Sequence, residues 1–298
     1  MAVTMIKYEA PHGSPSLMLG ERTCDQLQPG EESEALRFLA ERPIHTVFIA
    51  TLMRDNGAVS PNNRGTFYVC RNRAKKIEGI ALIGHATIVE ARTDHAVAAF
   101  AQLAARSQHA YLIRGERRTV ETFWQHYSEG GQPARLVCRE MLFEKTEPTP
   151  PFEPVAELRL ATLQETEQVV AINALLASED GGRNPLERDP EGFRTRMQRR
   201  IDQQRIWIWM RDGKAIFKAD IVGKTPEMIY LEGIHIHPDE RKKGYGRRCL
   251  LQLSSILARP GRSVCLTINE RRANAAAFYV RAGFDYHSEY ETIYLGKE

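Results

Sequence analysis

The chain has 298 residues, of which 42% are hydrophobic and 27% charged, and its 41 Lys and Arg against 38 Asp and Glu leave a formal net charge of +3. That length allows two domains, each able to bury a core, and the composition is that of a soluble globular protein. The interleaved charge is too weak for non-specific nucleic-acid binding, which needs a denser basic face.

No apolar run approaches the ~18 residues that would cross a bilayer, and Lys7, Glu9 and Pro11 interrupt any signal-like stretch at the N-terminus. The five cysteines (Cys24, Cys70, Cys138, Cys249, Cys265) are odd in number and form no CxxC pair. This argues against a disulfide framework or a zinc site, so a soluble protein of the reducing cytoplasm is expected, without membrane contact. Cys249 and Cys265 fall in apolar patterns and read as small core residues.

Residues 1–30 are rich in Gly, Pro, Ser and charge without periodicity, and are expected to be poorly ordered. A first domain is expected over 31–146. Its helices start at Glu32 and after Pro43, and its strands run from Thr66 to Cys70 and Ile77 to Ile83. A third strand is expected at His85 to Val89, then an Ala-rich helix from Val97 to Ala105. A strand at Ala110 to Ile113, a helix from Val120 to Tyr127 and a closing strand from Arg135 to Phe143 complete it. Four prolines between Glu147 and Pro154 mark 147–154 as an extended linker.

A second domain, 155–298, repeats the order. A strand at Leu158 to Ala161 precedes a helix from Glu165 to Leu176. Asp189-Pro190 offers an N-cap acid and a proline at the first helical position. Three antiparallel strands follow, Ile206 to Met210, Ala215 to Val222 and Glu227 to Ile236. A helix bearing Leu250, Leu253, Ile256 and Leu257 runs to Pro260-Gly261, and strand Val264 to Ile268, helix Ala273 to Ala282 and strand Tyr286 to Leu295 end the chain. The shared outline is what an ancient duplication would leave, although no local sequence repeats.

Arg241-Lys242-Lys243-Gly244-Tyr245-Gly246 sits where a strand turns into a helix. Free N–H groups and the positive end of the helix dipole favour a phosphate there, and glycine lets the backbone approach it closely. Alone, the loop is also compatible with an ordinary helix start and a solvated basic turn. A second pattern, Asn274-x-x-Ala277-Phe278-Tyr279-x-x-x-Gly283-Phe284, follows about 30 residues on. Together, in this order, the two motifs resemble the GNAT acyltransferase superfamily over roughly Leu158 to Leu295. The whole chain resembles a tandem GNAT protein with a degenerate N-terminal half. The resemblance implies an α/β fold (an α+β mixed sheet) of two GNAT-like domains. Each would be a mostly antiparallel sheet with a central splayed strand pair, flanked by helices.

It also implies acetyl-CoA as co-substrate. The amides of Lys242, Lys243, Gly244, Tyr245, Gly246 and Arg247, with Arg241, would grip the pyrophosphate. The backbone of Ile234, His235 and Ile236 would pair with the pantetheine arm like an added strand, and Gly233 would mark the splay. Asn269 and Asn274 are candidate cofactor contacts, with plain helix capping the competing role of Asn274. Arg271 and Arg272 either meet the 3′-phosphate or lie on a solvated face.

Acyl transfer to an amine needs two proton movements, since an ammonium of pKa ~10.4 is neutral about once in 2,500 molecules at pH 7. Tyr279 occupies the position the family uses for the acid that protonates the leaving thiolate, with aromatic packing as its alternative. Glu232 is the candidate base, placed by strand alternation on one face with Tyr230, Ile234 and Ile236. A pair with Lys218 is the alternative. His235 and His237 read as a structural strand-end pair rather than metal ligands, and no metal is expected.

Ser178 to Pro185 is expected to be a flexible rim of the acceptor site, whose Glu179 and Asp180 either attract a cationic amine or belong to a plain solvated loop. In the N-terminal half, Glu90-Ala91-Arg92-Thr93-Asp94-His95 stands where a phosphate loop would belong, so one CoA site is expected. That half would complete the acceptor cleft or a homodimer interface. The reading is direct acetyl transfer to a primary amine, small-molecule or peptide, in a ternary complex. The reading from another class is a non-catalytic acyl-CoA sensor. Nucleic acid would have only Arg241, Lys242, Lys243, Arg247 and Arg248 to hold it.

Overall fold

The computed structural model describes residues 17–19, 22–107, 110–146 and 151–296. The contacts divide the chain into two compact units, 1–137 with 291–298, and 138–290.

The first unit opens with strands β1 (Leu17–Leu19) and β2 (Arg22–Gln26), so the part of 1–30 expected to be poorly ordered is structured there. Residues 1–16 and 20–21 lie outside the described residues. Helices α1 (Glu32–Ala40) and α2 (Pro43–Asn56) follow, then β3 (Gly65–Arg71), β4 (Ile77–Gly84) and β5 (Ala86–Ala91). Helix α3 (Asp94–Ala105), strand β6 (Leu112–Glu116) and helix α4 (Arg117–Tyr127) lead into β7 (Ala134–Lys145). β2 to β5 are antiparallel neighbours, and β5 then pairs with β6 in parallel. Phe38, Leu39, Ile49 and Met53 bury one face of this sheet, while Phe100, Leu103, Phe123 and Tyr127 bury the other. Helices thus cover both faces, each through an apolar stripe.

The second unit contains β8 (Arg159–Leu160), α5 (Thr166–Gly181), the short α6 (Pro185–Arg188) and α7 (Pro190–Asp202). Strands β9 (Ile206–Arg211), β10 (Lys214–Lys224) and β11 (Met228–Ile236) come next. Then come α8 (Tyr245–Leu257), β12 (Ser263–Asn269), α9 (Ala273–Arg281) and β13 (Asp285–Leu295). Asp189 caps α7 as its sequence suggests, its carboxylate accepting from the Gly192 amide at 3.0 Å. β8 to β11 are antiparallel, and β11 pairs with β12 in parallel. Val169, Val170, Phe193, Met197 and Ile208 form the core on the α5–α7 face, and Leu250, Leu253, Leu266, Ile268 and Phe284 the core on the α8–α9 face.

The division falls inside β7 and β13, not in the proline-rich stretch. Glu140 to Lys145 of β7 pair residue for residue with Asn269 to Val264 of β12, so most of the strand read as closing the first half belongs to the second unit. Main-chain pairing, not the distribution of prolines, sets the boundary. Residues 147–150 of the expected linker lie outside the described residues. The carbonyls of Glu153 and Pro154 accept from Arg248.

Candidate active site

The ladder between β11 and β12 runs from Met228–Ser263 to Leu231–Leu266 and stops there. Both strands continue, to Ile236 and Asn269. Beyond Leu231 the side of β11 facing β12 therefore carries main-chain groups with no ladder partner, while the other side stays paired with β10. Where the ladder ends, Gly233 and Ile234 together stand opposite Ala219, between the pairs Asp220–Glu232 and Lys218–His235. Gly233 has φ +59°, in the left-handed region that favours glycine. This is a β-bulge against β10, at the residue expected to mark the splay.

The bulge corrects one expectation. An extra residue reverses the alternation of every side chain after it. Glu232 keeps the face of Tyr230, but Ile234 and Ile236 pack into the α8–α9 core instead. On the α5–α7 face, the Tyr230 hydroxyl donates to Glu232 Oε1 at 2.5 Å and lies 3.0 Å from Thr267 Oγ1. The Thr267 hydroxyl in turn donates to Glu140 Oε1 at 3.4 Å. A chain of oxygens thus crosses the gap from β11 to β12 and β7. Glu232 does not take Lys218 as its close ion partner; the Lys218 ammonium lies 2.7 Å from Asp220.

The loop between β11 and α8 begins with a single 3₁₀ turn at Pro238–Glu240. Lys242 (φ +65°) and Gly244 (φ +83°) take left-handed conformations that aim the chain into the helix. The backbone amides of Lys242 to Arg247 meet no protein acceptor among the described residues. They sit at the positive end of a 13-residue helix. The two glycines serve different needs. A Cβ on Gly244 would meet nothing within 4 Å, whereas one on Gly246 would lie 2.2 Å from Ile236 Cδ1. Gly246 therefore lets α8 settle on β11, and Gly244 leaves the loop open to a ligand. Arg241 donates to the Ile236 carbonyl, Lys243 pairs with Glu240, and Arg247 donates to the Arg281 carbonyl.

Tyr279 lies half-buried on α9, edge-on to Phe278 at 5.0 Å and Phe284 at 6.2 Å between centroids. Its hydroxyl makes no hydrogen bond among the described residues, and burial raises its pKa, opposed by the Arg272 charge. Arg272 binds Glu179 at 3.1 Å and Asp180 at 2.9 Å. Burial raises the Asp180 pKa; Arg272 opposes this, and the charges of Glu140, Glu232 and Glu179 add to it. Ser178 to Gly181 form the last turn of α5, so this part of the expected rim is helical.

Asn269 accepts from the Arg271 amide at 3.0 Å, a local turn contact. Asn274 is the second residue of α9 rather than its cap, which is Arg272; its side chain lies outside the described residues. His237 accepts from the Asp239 amide. His235 is 9% exposed. Burial, then the charges of Lys218, Arg241 and His237, push its imidazole down to about 4, so it is neutral at neutral pH.

Comparison with known proteins accords with this geometry. Residues 202–286 match the family model described as an acetyltransferase (GNAT) domain. This chain carries a GNAT-superfamily domain. A search of curated proteins found no match. Among solved structures, a Drosophila protein aligns with TM-score 0.67 at 13% identity, covering 92% of this chain and 98% of its own. A tandem GNAT protein from the clavulanic acid biosynthesis pathway aligns with TM-score 0.56 at 13% identity, covering 93% and 100%. A GNAT-family acetyltransferase from Colwellia psychrerythraea gives 0.56 at 10%, covering 92% and 99%. These likenesses show the fold, two GNAT-like domains in one chain.

The GNAT-like first unit has its own parallel pair, β5 and β6, but fills its open end. The Arg42 guanidinium bridges Glu90 at the end of β5 (3.1 Å) and Glu116 at the end of β6 (2.6 Å), and Arg92 pairs with Glu90 as well. The helix that follows is capped from within, Thr93 accepting from the Ala96 amide at 3.2 Å. An ion-pair network and a capped helix stand where the second unit has an open strand and bare amides. Among the described residues, no helix is long and apolar enough to cross a membrane.

Proposed function

We propose that this chain is an acetyl-CoA-dependent N-acetyltransferase with its chemistry in the second unit. The observation that carries the proposal is the end of the β11–β12 ladder at Leu231, beside the unbonded amides of Lys242 to Arg247. Those amides, Arg241 and the open space at Gly244 suit a pyrophosphate. The stretch Ile234 to Ile236, beyond the end of the β11–β12 ladder, suits an extended amide-bearing arm, which would add to it as a strand. Bound there, acetyl-CoA supplies the activated thioester carbonyl.

The acceptor in this reading is a primary amine. The negative charges of Glu140, Glu179 and Glu232 reach Asp180, with Arg272 as the cation among them. Such a surface favours a cationic acceptor. Glu232 takes the amine proton, directly or through water, and Tyr230, Thr267 and Glu140 tie that carboxylate to its neighbours. The Tyr279 phenol, kept protonated by burial, gives its proton to the departing thiolate. Direct transfer is favoured because all five cysteines are buried. The test is release of CoA thiol from acetyl-CoA across a panel of primary amines, after mass spectrometry for co-purified CoA. Thiol release that depends on one amine class supports the proposal. CoA binding without turnover on any amine would replace it with an acyl-CoA sensor.

A further inference from the structure

Within β10, the run Ala215 to Val222 is apolar except for Lys218 and Asp220, which are 0% and 1% exposed. The Lys218 ammonium lies 2.7 Å from Asp220 Oδ1, donates to Asn173 Oδ1 at 3.0 Å and to the Gly233 carbonyl at 3.2 Å. The contacts to Asn173 and Gly233 are hydrogen bonds and the contact to Asp220 is an ion pair, neither Asp220 oxygen having a hydrogen-bond partner among the described residues. The three partners come from three elements, β10, α5 and β11. The third is the carbonyl of the bulge residue, just past the point where the β11–β12 ladder ends. Arg200 of α7 reaches the other Asp220 oxygen at 3.5 Å, and Asn173 is fixed from behind by donating to the Val169 carbonyl at 3.0 Å.

A buried ion pair is a costly way to stabilise a strand, because well-packed apolar residues in its place are often neutral or better. The location supplies a reason for the cost. Glu232 pairs with Asp220 and His235 with Lys218, one on each side of the bulge. Whatever holds the Gly233 carbonyl holds the reversal of alternation that puts both of these side chains on the α5–α7 face. A Cβ on Gly233 would lie 2.7 Å from Lys218 Nζ, so the glycine leaves room for the ammonium beside the bulge.

We infer that Lys218, seated by Asp220 and Asn173, is a positioning residue: it pins the Gly233 carbonyl and so fixes the bulge that presents Glu232 to the acceptor amine. The inference rests on the proposed acetyl transfer for its kinetic consequences, but not for its structural ones. The ammonium acts through the main chain of β11, by its bond to the Gly233 carbonyl. Burial lowers the Lys218 pKa, and the Asp220 carboxylate opposes that shift.

The test is the double variant Lys218→Met/Asp220→Leu, in which an apolar pair replaces the ion pair without leaving a lone buried charge. It should fold, with Tm within a few degrees of the wild type, and should bind CoA within about three-fold of it. Its kcat for the amine should fall at least 30-fold, and its pH profile should move to higher pH as the misplaced carboxylate no longer takes the proton. Amide hydrogen exchange over 232–236 should quicken. Asn173→Ala, which removes one seat of the ammonium and leaves the charges, should lower kcat by a smaller factor with the same shift of the profile. Unchanged kcat, pH profile and exchange in the folded double variant would overturn the inference. So would a loss of kcat matched by an equal loss of CoA binding and stability. If the double variant does not fold, Asn173→Ala decides by the same readouts. If no amine supports turnover in the wild type, the exchange measurement still tests the clamp, while the proposed function fails separately.

Discussion

Single residues carry the chemistry proposed for this site, and some are harder to read than others. Tyr279 is set by its helix, and its unbonded, half-buried phenol suits an acid. Tyr279→Phe should reduce kcat about 10²-fold while CoA still binds, measured by thiol release and titration calorimetry. His235 bears on stability. Its folded pKa lies near 4, below the ordinary 6.5, so the unfolded chain binds its proton first. The associated stability is full above about pH 6.5 and is lost as pH falls toward 4. His235→Asn should flatten that part of the stability–pH curve, measured by urea unfolding at intervals from pH 7 to 4. Glu232 was legible from its place on an apolar-patterned strand, but its neighbours were not, because alternation assumes an unbroken ladder. A positive φ at Gly233 cannot be seen in a string of letters. Lys218 and Asp220 did leave a signal, two charges two apart in an apolar run, but the pattern does not say which carbonyl an ammonium will find.

At the scale of elements, most strands and helices follow from periodicity and punctuation. Asp189-Pro190 begins α7, and the helix after Gly244 begins where two glycines and a basic turn predict it. The short α6 was missed, since a four-residue helix with no buried side chain leaves no periodic trace. The phosphate loop is where element-level substitutions separate roles. Gly246→Ala should cost about 1–3 kcal/mol of stability by crowding Ile236. Gly244→Ala should cost about 1–2 kcal/mol through its positive φ and, with its methyl in open space, should weaken CoA binding beyond that. Paired thermal melts and CoA titrations distinguish the two. Ahead of α5, Glu165 closes a capping box with Thr162, and its bond to Arg159 holds its carboxyl down to about 2. Because this pKa is depressed, the stability is present above about pH 4.5 and fades as pH falls toward 2. Glu165→Gln should lower Tm at pH 7 and converge with the wild type near pH 2.

For the whole molecule, two units of like element order differ in what they do with their parallel strand pair. In the second, the pair parts and the next helix leaves its amides bare. In the first, Arg42, Glu90, Glu116 and Arg92 fill the corresponding end and Thr93 caps the helix. The acids at Glu90 and Asp94 and the missing glycines already pointed this way in the sequence, although the arginine that bridges two strands lies about 50 residues upstream and could not be paired by eye. The boundary between units was misplaced for a related reason: β7 and β13 are long strands whose two ends belong to different units, and proline-rich segments do not report pairing. We propose that this chain has one acyl-CoA site, made by the open end of β11 and the bare amides of the following loop. Titration calorimetry of the full chain with CoA tests it most directly. One CoA bound per chain, with the binding lost when Lys242 and Lys243 are both replaced by Glu, is the expected result. No binding, two sites per chain, or binding indifferent to that replacement would contradict it.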